Sequence, residues 1–312
     1  MTRDRISVGI VQTTPAFDDL EAGLAIVDSR VHDAAAAGCE LVTLGETFLP
    51  GYPVWLDASP GAALWDHAPV KEAFARMRRQ SVVVGSAATD RLAAAAKDAR
   101  VTLVIGVQER VEHGPGAHTL YNALLTFTPD GRLANHHRKL VPTYTERLVW
   151  GPGDGDGLVA VEHEGVRVSS LVCWEHWMPL ARQALHAQGE DVHVAVWPTV
   201  HERHQIASRH YAFEGRCFVL AAGQLGRVRD LPEGLRPDAP ADTFVLSGGS
   251  AIYGPDAQAL VEPVFEEDTT VMAELDLTRI DAEAMTLDVT GHYHRPDVFR
   301  FGVDRTRREP QG

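Results

Sequence analysis

Three side chains in the 312-residue sequence have the types and settings that nucleophilic chemistry requires. Cys173 stands in SSLVCWEHWMPL, where a strand-like run gives way to a helical one. Glu46 closes the apolar run of LGETFLPGYP. Lys139 lies between HHR and an apolar LVP in HHRKLVPTYTERLVWGPGDG, with Glu146 seven residues on. A cysteine attacks as thiolate, so it needs a base to take its proton and a positive group to hold the negative charge that develops. Glutamate and lysine supply both without histidine. A sulfur at the mouth of a helix is also expected to feel the positive end of the dipole, which favours thiolate.

Each residue also has an ordinary reading. Cysteine is among the most buried residue types and usually packs as a small hydrophobe. Cys39 and Cys217 sit in or beside apolar elements and are read that way. Glu46 is either a solvated strand end or a buried carboxylate with a partner, because unpaired burial is expensive. Most lysines are surface charges. The fifteen histidines form no HExxH and no paired Cys/His spacing, and His204 beside Glu202 suits a solvated helical face, so no metal is assigned. GPGDGDG lacks the Lys-Ser/Thr ending of a phosphate loop.

Charge narrows the partners. The net charge is −14 and the isoelectric point about 5.5, which argues against a nucleic-acid surface. The basic clusters His136-His137-Arg138-Lys139 and Arg305–Arg308 are short, and each reads as a solvated face or part of a site. Three cysteines without CxxC spacing suit a reducing compartment. The N-terminus has no signal-like apolar run, and no segment approaches the ~18 apolar residues of a membrane span, so a cytoplasmic protein is expected.

The elements that must position these residues alternate. ISVGIVQ (6–12) predicts a buried strand, and 18–37 a helix with Leu20, Leu24, Val27, Val31 and Ala34 on one face and Gly38 as its stop. Strands follow at 40–46, 101–111 and 120–128, with helices over 70–79 and 90–99. The second half repeats the pattern: strands at LVAVEHE and VRVSSLV, helix 177–188, strand VHVAVWP, helix 204–215 and strand CFVLAAG. A surface loop over 225–243, strands GGSAIYG and TVMAELDL, a short helix near 279–285 and an extended tail complete the chain. Such alternation implies a layered α/β domain with its site where strands end in loops.

With these segments in view, the sequence resembles the nitrilase superfamily of carbon–nitrogen hydrolases, and within it the true nitrilase branch. LGETFLPGYP, HRKLVPTYTERLVWGPGDG and LVCWEHWMPL resemble the segments that carry the family's glutamate, lysine and cysteine, here Glu46, Lys139 and Cys173, with Glu146 as a second glutamate. SVVVGSAATDRL, HVAVWPTV, RHYAFEGRCFVLAAGQ, GGSAIYGPD and GHYHRPDVFRF follow in the family's order. His176 stands where many nitrilases have asparagine.

The resemblance implies a four-layer α-β-β-α sandwich: one hydrolase domain over 1–302, then a short tail, 303–312. It implies hydrolysis of a nitrile to carboxylic acid and ammonia through a thioimidate and a thioester, with no cofactor. Tyr52, Trp174, His176, Trp197 and Pro198 are the expected pocket residues. The expected partners are a small nitrile and further copies of the chain, which would pair through helices 177–188 and 204–215; the short tail points to dimers rather than long filaments. An amidase or carbamoylase with the same triad, or a catalytically silent scaffold, remains the alternative.

Overall fold

The computed structural model describes residues 3–59, 61–114 and 116–308. In chain order the first half contains β1 (Arg5–Gln12), α1 (Leu20–Ala36), β2 (Leu41–Leu44), α2 (Trp55–Ala58), α3 (Ala68–Gln80), α4 (Ala87–Ala99), β3 (Thr102–Arg110), β4 (Leu120–Phe127) and β5 (Leu133–Arg138). The second half contains β6 (Val161–His163), β7 (Val166–Val172), α5 (Pro179–His186), β8 (Val192–Val196), α6 (Glu202–Gly215), β9 (Phe218–Ala222), β10 (Leu225–Arg227), β11 (Phe244–Tyr253), β12 (Ala259–Phe265), β13 (Thr269–Asp276) and α7 (Thr278–Ala284).

Two sheets result. One has the order β13-β1-β2-β3-β4-β5; the other runs β10-β11-β9-β8-β7-β6, with β12 on β11. β1, β2 and β3 are parallel in the first, and β7, β8 and β9 in the second. Parallel strands covered on both faces read as nearly unbroken apolar runs, which is why 6–12, 166–172 and 192–196 were legible. α1 and α4 cover the first sheet, packing Leu24, Val27, Val31 and Leu92 on Val42, Leu44, Leu103 and Ile105. A second core runs from Ile10, Leu41 and Val104 of the first sheet through β7, β8 and β9 to Ala184, Leu185 and Tyr211 of α5 and α6. Helices thus flank two apposed sheets, the α-β-β-α order expected.

Four stretches differ from the sequence expectation. β5 and β12 are strands that apolar periodicity does not reveal: β5 is LANHHR, yet its last two residues are buried. Helix 177–188 is a short 3-10 turn (Cys173–Trp177) followed by α5, because Pro179 starts the helix at its first turn. The expected surface loop 225–243 opens with β10 and buries Leu225, Val228, Leu231 and Leu235. Of the expected 303–312 tail, residues 309–312 lie outside the described residues. Arg307 pairs with Asp156 at 2.8 Å and the Arg308 N–H donates to Asp154 at 3.0 Å. Among the described residues, no helix is long and apolar enough to cross a membrane.

Candidate active site

Glu46 opens the turn that follows β2. That turn lies directly on β3, where only a glycine fits: a Cβ on Gly106 would fall 2.3 Å from the Gly45 carbonyl oxygen and 2.4 Å from the Thr47 nitrogen. The Gln224 side-chain amide donates to the Glu46 carbonyl at 2.7 Å, fixing the turn from the second sheet. The carboxylate is fully buried. Its Oε1 accepts from Asn122 Nδ2 of β4 at 2.6 Å and from Lys139 Nζ at 2.9 Å. Its Oε2 has no hydrogen-bond partner among the described residues.

Lys139 follows β5 with its side chain sealed from solvent. Nζ donates to Glu146 Oε2 at 2.6 Å as well as to Glu46. Glu146 is placed by a one-turn helix, Tyr144–Leu148, where its Oε2 also accepts the Thr143 N–H at 2.7 Å. Tyr52 donates its hydroxyl to Glu146 Oε1 at 3.0 Å. Behind Lys139 packs the glycine-rich GPGDGDG: a Cβ on Gly153 would meet the Arg138 carbonyl oxygen at 2.1 Å. Those glycines serve close approach between backbones. The rest of the basic run is paired, buried Arg138 and half-buried His136 with Glu109 and buried His137 with Glu175.

Cys173 follows β7 with φ +53°, a left-handed conformation that costs a non-glycine residue about 1–2 kcal/mol. Glu175 braces this corner. It accepts the Val172 N–H at 2.7 Å, the Leu140 N–H at 2.8 Å and His137 Nε2 at 3.0 Å, so one carboxylate ties the cysteine corner to the lysine strand across the two sheets. The Cys173 sulfur and one oxygen each of Glu46 and Glu146 lie within 4.8 Å of one another. Two carboxylates and a thiol are a possible ligand set for a cation, but the ammonium of Lys139 already bonds both carboxylates and supplies that positive charge.

Burial dominates the electrostatics. It pushes the Glu46 carboxyl up to about 7, with Lys139 opposing and Glu146 reinforcing the rise. Burial and then Glu46 hold the Cys173 thiol well above its usual value, so it rests protonated, against the thiolate expected from a helix dipole. The 3-10 turn after Cys173 is too short for that dipole to compete with desolvation and two carboxylates. Burial alone would lower the Lys139 ammonium; Glu46, Cys173 and Glu146 outweigh it and raise it. The cluster is therefore a charged lysine between carboxylates, one of them poised near neutrality, beside a neutral thiol.

The carbon–nitrogen hydrolase family model matches residues 7–284. Nitrilase 2 of an unknown prokaryotic organism is 38% identical over 306 residues, covering 97% of this chain and 94% of that protein. The aliphatic nitrilase of Sinorhizobium fredii (strain HH103) is 38% identical over 309 residues, covering 97% and 96%. The chain belongs to the carbon–nitrogen hydrolase family, in its nitrilase branch. A bifunctional nitrilase/nitrile hydratase of Lupinus angustifolius is 36% identical, covering 94% of this chain and 84% of that protein. Among solved structures, Saccharomyces cerevisiae Nit3, a member of branch 10 of the nitrilase superfamily, superposes with a TM-score of 0.72 at 18% identity, covering 94% and 98%.

A cleft of about 540 Å³ opens onto Cys173 and Glu146 in this hydrolase. Tyr52, Trp174 and Pro198 line it, with Val54, Val245 and Leu246. His176 and Trp197, also expected in the pocket, stand behind its wall: both are buried, and their rings pack 4.8 Å apart. His204 moves the other way, from expected solvated face to cleft wall, with its ring stacked on Trp197 at 4.5 Å. Asn122, Glu175 and Gln224 touch the cluster but carried no sequence signal. Asn122 sits in an apolar strand, Glu175 reads only as a neighbour of the cysteine, and Gln224 lies 178 residues from the backbone it holds.

Proposed function

We propose that this carbon–nitrogen hydrolase is a nitrilase, converting an organic nitrile to its carboxylic acid and ammonia. One observation carries the reading. A buried carboxylate with its own pKa near neutrality has one oxygen held by Lys139 and Asn122 and the other without a partner among the described residues, beside a protonated thiol at the floor of a largely apolar cleft. Glu46 takes the thiol proton as the sulfur bonds to the nitrile carbon, and that proton passes to the nitrile nitrogen, giving a thioimidate. A water, deprotonated by Glu46, adds to the carbon. Expulsion of ammonia leaves a thioester, and a second water hydrolyses it to the acid and frees the thiol. Lys139 and the Trp174 N–H stabilise negative charge at the reacting centre, and Glu146 holds Lys139 in line. Loss of the thiol before ammonia would release an amide instead.

The apolar walls, Val54, Val245, Leu246 and Pro198 with the rings of Tyr52 and Trp174, suit a hydrophobic nitrile substituent. One hydrolase domain with a short tail, self-association and a reducing, cytoplasmic setting belong to the same reading. Leu180, Ile206 and Phe213 are exposed apolar side chains on α5 and α6, which supports pairing through that face, and the three cysteines are free thiols.

The test is a panel of aryl-acetonitriles, benzonitrile, a dinitrile, short aliphatic nitriles and cyanide, run beside the matching amides, with ammonia and organic product both measured. Acid and ammonia from a nitrile, lost in Cys173→Ala, is the expected result. Turnover of amides alone would make the protein an amidase, and silence throughout would favour a scaffold.

A further inference from the structure

A buried hydrogen-bonded chain runs away from the nucleophile and takes no part in the chemistry above. His176 Nδ1 lies 2.7 Å from the Cys173 carbonyl oxygen, and His176 Nε2 lies 2.9 Å from His193 Nε2. His193 Nδ1 meets the Ser169 hydroxyl at 2.6 Å and Glu190 Oε2 at 3.1 Å. The other Glu190 oxygen accepts from the Tyr211 hydroxyl and from His186, each at 2.7 Å. Every member is buried.

The protons along this chain have a fixed order. A carbonyl oxygen only accepts, so His176 carries its proton on Nδ1. Burial and the neighbouring His193 keep His176 neutral, which makes its Nε2 a lone pair. His193, also kept neutral by burial, must then donate from Nε2, so its Nδ1 is a lone pair that accepts from the Ser169 hydroxyl, while Glu190 beside it, itself only an acceptor, makes no hydrogen bond to that nitrogen. A second tie closes the corner: Arg182 of α5 donates to the His176 carbonyl at 3.0 Å and pairs with Glu214 of α6. The carbonyl gripped at the head of this chain belongs to the one residue of the cluster whose chemistry is nucleophilic and whose φ is left-handed.

We propose that His176 is a positioning residue, oriented by His193, itself fixed by Ser169, which holds the Cys173 carbonyl and so keeps the sulfur aimed at Glu46 and the cleft. A corner residue in a disfavoured conformation relaxes once its carbonyl is released, and a small displacement of the sulfur is enough to spoil attack.

The experiment compares His176→Phe, which keeps a ring against Trp197 and Tyr211 but has no donor, with His176→Asn, whose amide places a donor near the Nδ1 position. Two quantities are read in variants with wild-type circular dichroism: kcat and KM on the best nitrile, and the iodoacetamide labelling rate of Cys173 followed by peptide mass. The kinetic readout rests on the nitrilase reading; the labelling readout does not. If wild type turns over no nitrile while the labelling pattern holds, that reading alone fails. His176→Phe is expected to lower kcat by about 100-fold with KM nearly unchanged, and to slow Cys173 labelling by about tenfold. His176→Asn is expected to recover most of both. Should His176→Phe not fold, His193→Phe, which keeps the ring on Tyr211 at 3.7 Å but removes the Nε2 donor, carries the same expectation in weaker form. Labelling and kcat within twofold of wild type in the donor-free variant would overturn the proposal. So would an Asn variant as impaired as the Phe variant.

Discussion

Replacing Asn122 with leucine asks whether the base is tuned by its neighbours. Glu46 stands at about 7 because burial raises it against the pull of Lys139, while Glu146 adds to the rise. Asn122 works in the opposite direction, its amide donating to Glu46 Oε1 at 2.6 Å. A hydrogen bond to a charged group contributes about 1.5–3 kcal/mol, and 1.36 kcal/mol corresponds to about one pKa unit. Losing it therefore moves the Glu46 carboxyl up by roughly one to two units, to ~8–9. The other groups facing Glu46 do not interfere: Lys139 stays charged, and burial keeps Cys173 and Tyr52 protonated. Glu46 has to be ionised to accept the thiol proton, so activity falls as pH drops through its pKa. The acid limb of kcat/KM should shift upward by the same one to two units. At pH 7 the variant should retain roughly 2–20% of wild-type kcat/KM and approach wild type by about pH 10. Ammonia release measured across that range, with thermal unfolding to check the fold, reads this directly. A loss that is equal at every pH, with the acid limb unmoved, would show that Asn122 only packs and would refute the argument.

Lys139→Met leaves two buried carboxylates facing each other, and breaking a buried pair costs about 3–5 kcal/mol, so urea denaturation should show that loss along with vanished activity; a change under ~1 kcal/mol would contradict the geometry. Gly106→Ala places a methyl against the Gly45–Thr47 backbone at 2.3–2.4 Å, so the turn carrying Glu46 must shift. The expected result is a fold weakened by about 1–3 kcal/mol and kcat lowered at least about tenfold; wild-type kcat would sink it. Paired Ile206→Glu and Phe213→Glu substitutions on the exposed face of α6 should halve the mass seen by light scattering if that face joins copies. An unchanged mass would move the interface elsewhere.

The sheets and helices were legible wherever apolar residues recur without interruption, as in β1, β7 and β8. β5 was not, because LANHHR reads as polar. Its burial becomes possible only when Glu109 and Glu175 arrive from distant segments to pair its charges, and that of Lys139 when distant Glu46 joins the nearby Glu146. The reactive groups themselves stood out as chemistry-bearing types at strand ends. What holds them did not. Asn122, Gln224 and Gly106 act through side-chain or backbone contacts 76 to 178 residues away or by having no side chain at all, and no local pattern encodes that. His176 illustrates the limit in the other direction. Its position beside Trp174 suggests the cleft, but the 3-10 turn points Trp174 outward and His176 back into the core, where it is 1% exposed.

The single lysine of the cluster also shapes the end of the reaction. Its charge is already shared between Glu46 and Glu146, and no arginine or other lysine lines the cleft among the described residues, whereas Asp57 does. On the proposed chemistry a neutral nitrile enters and an anion is made between like charges. The acid is repelled from the site that formed it, so turnover clears itself and accumulated product inhibits weakly. The same field turns away nitriles that arrive with a carboxylate of their own.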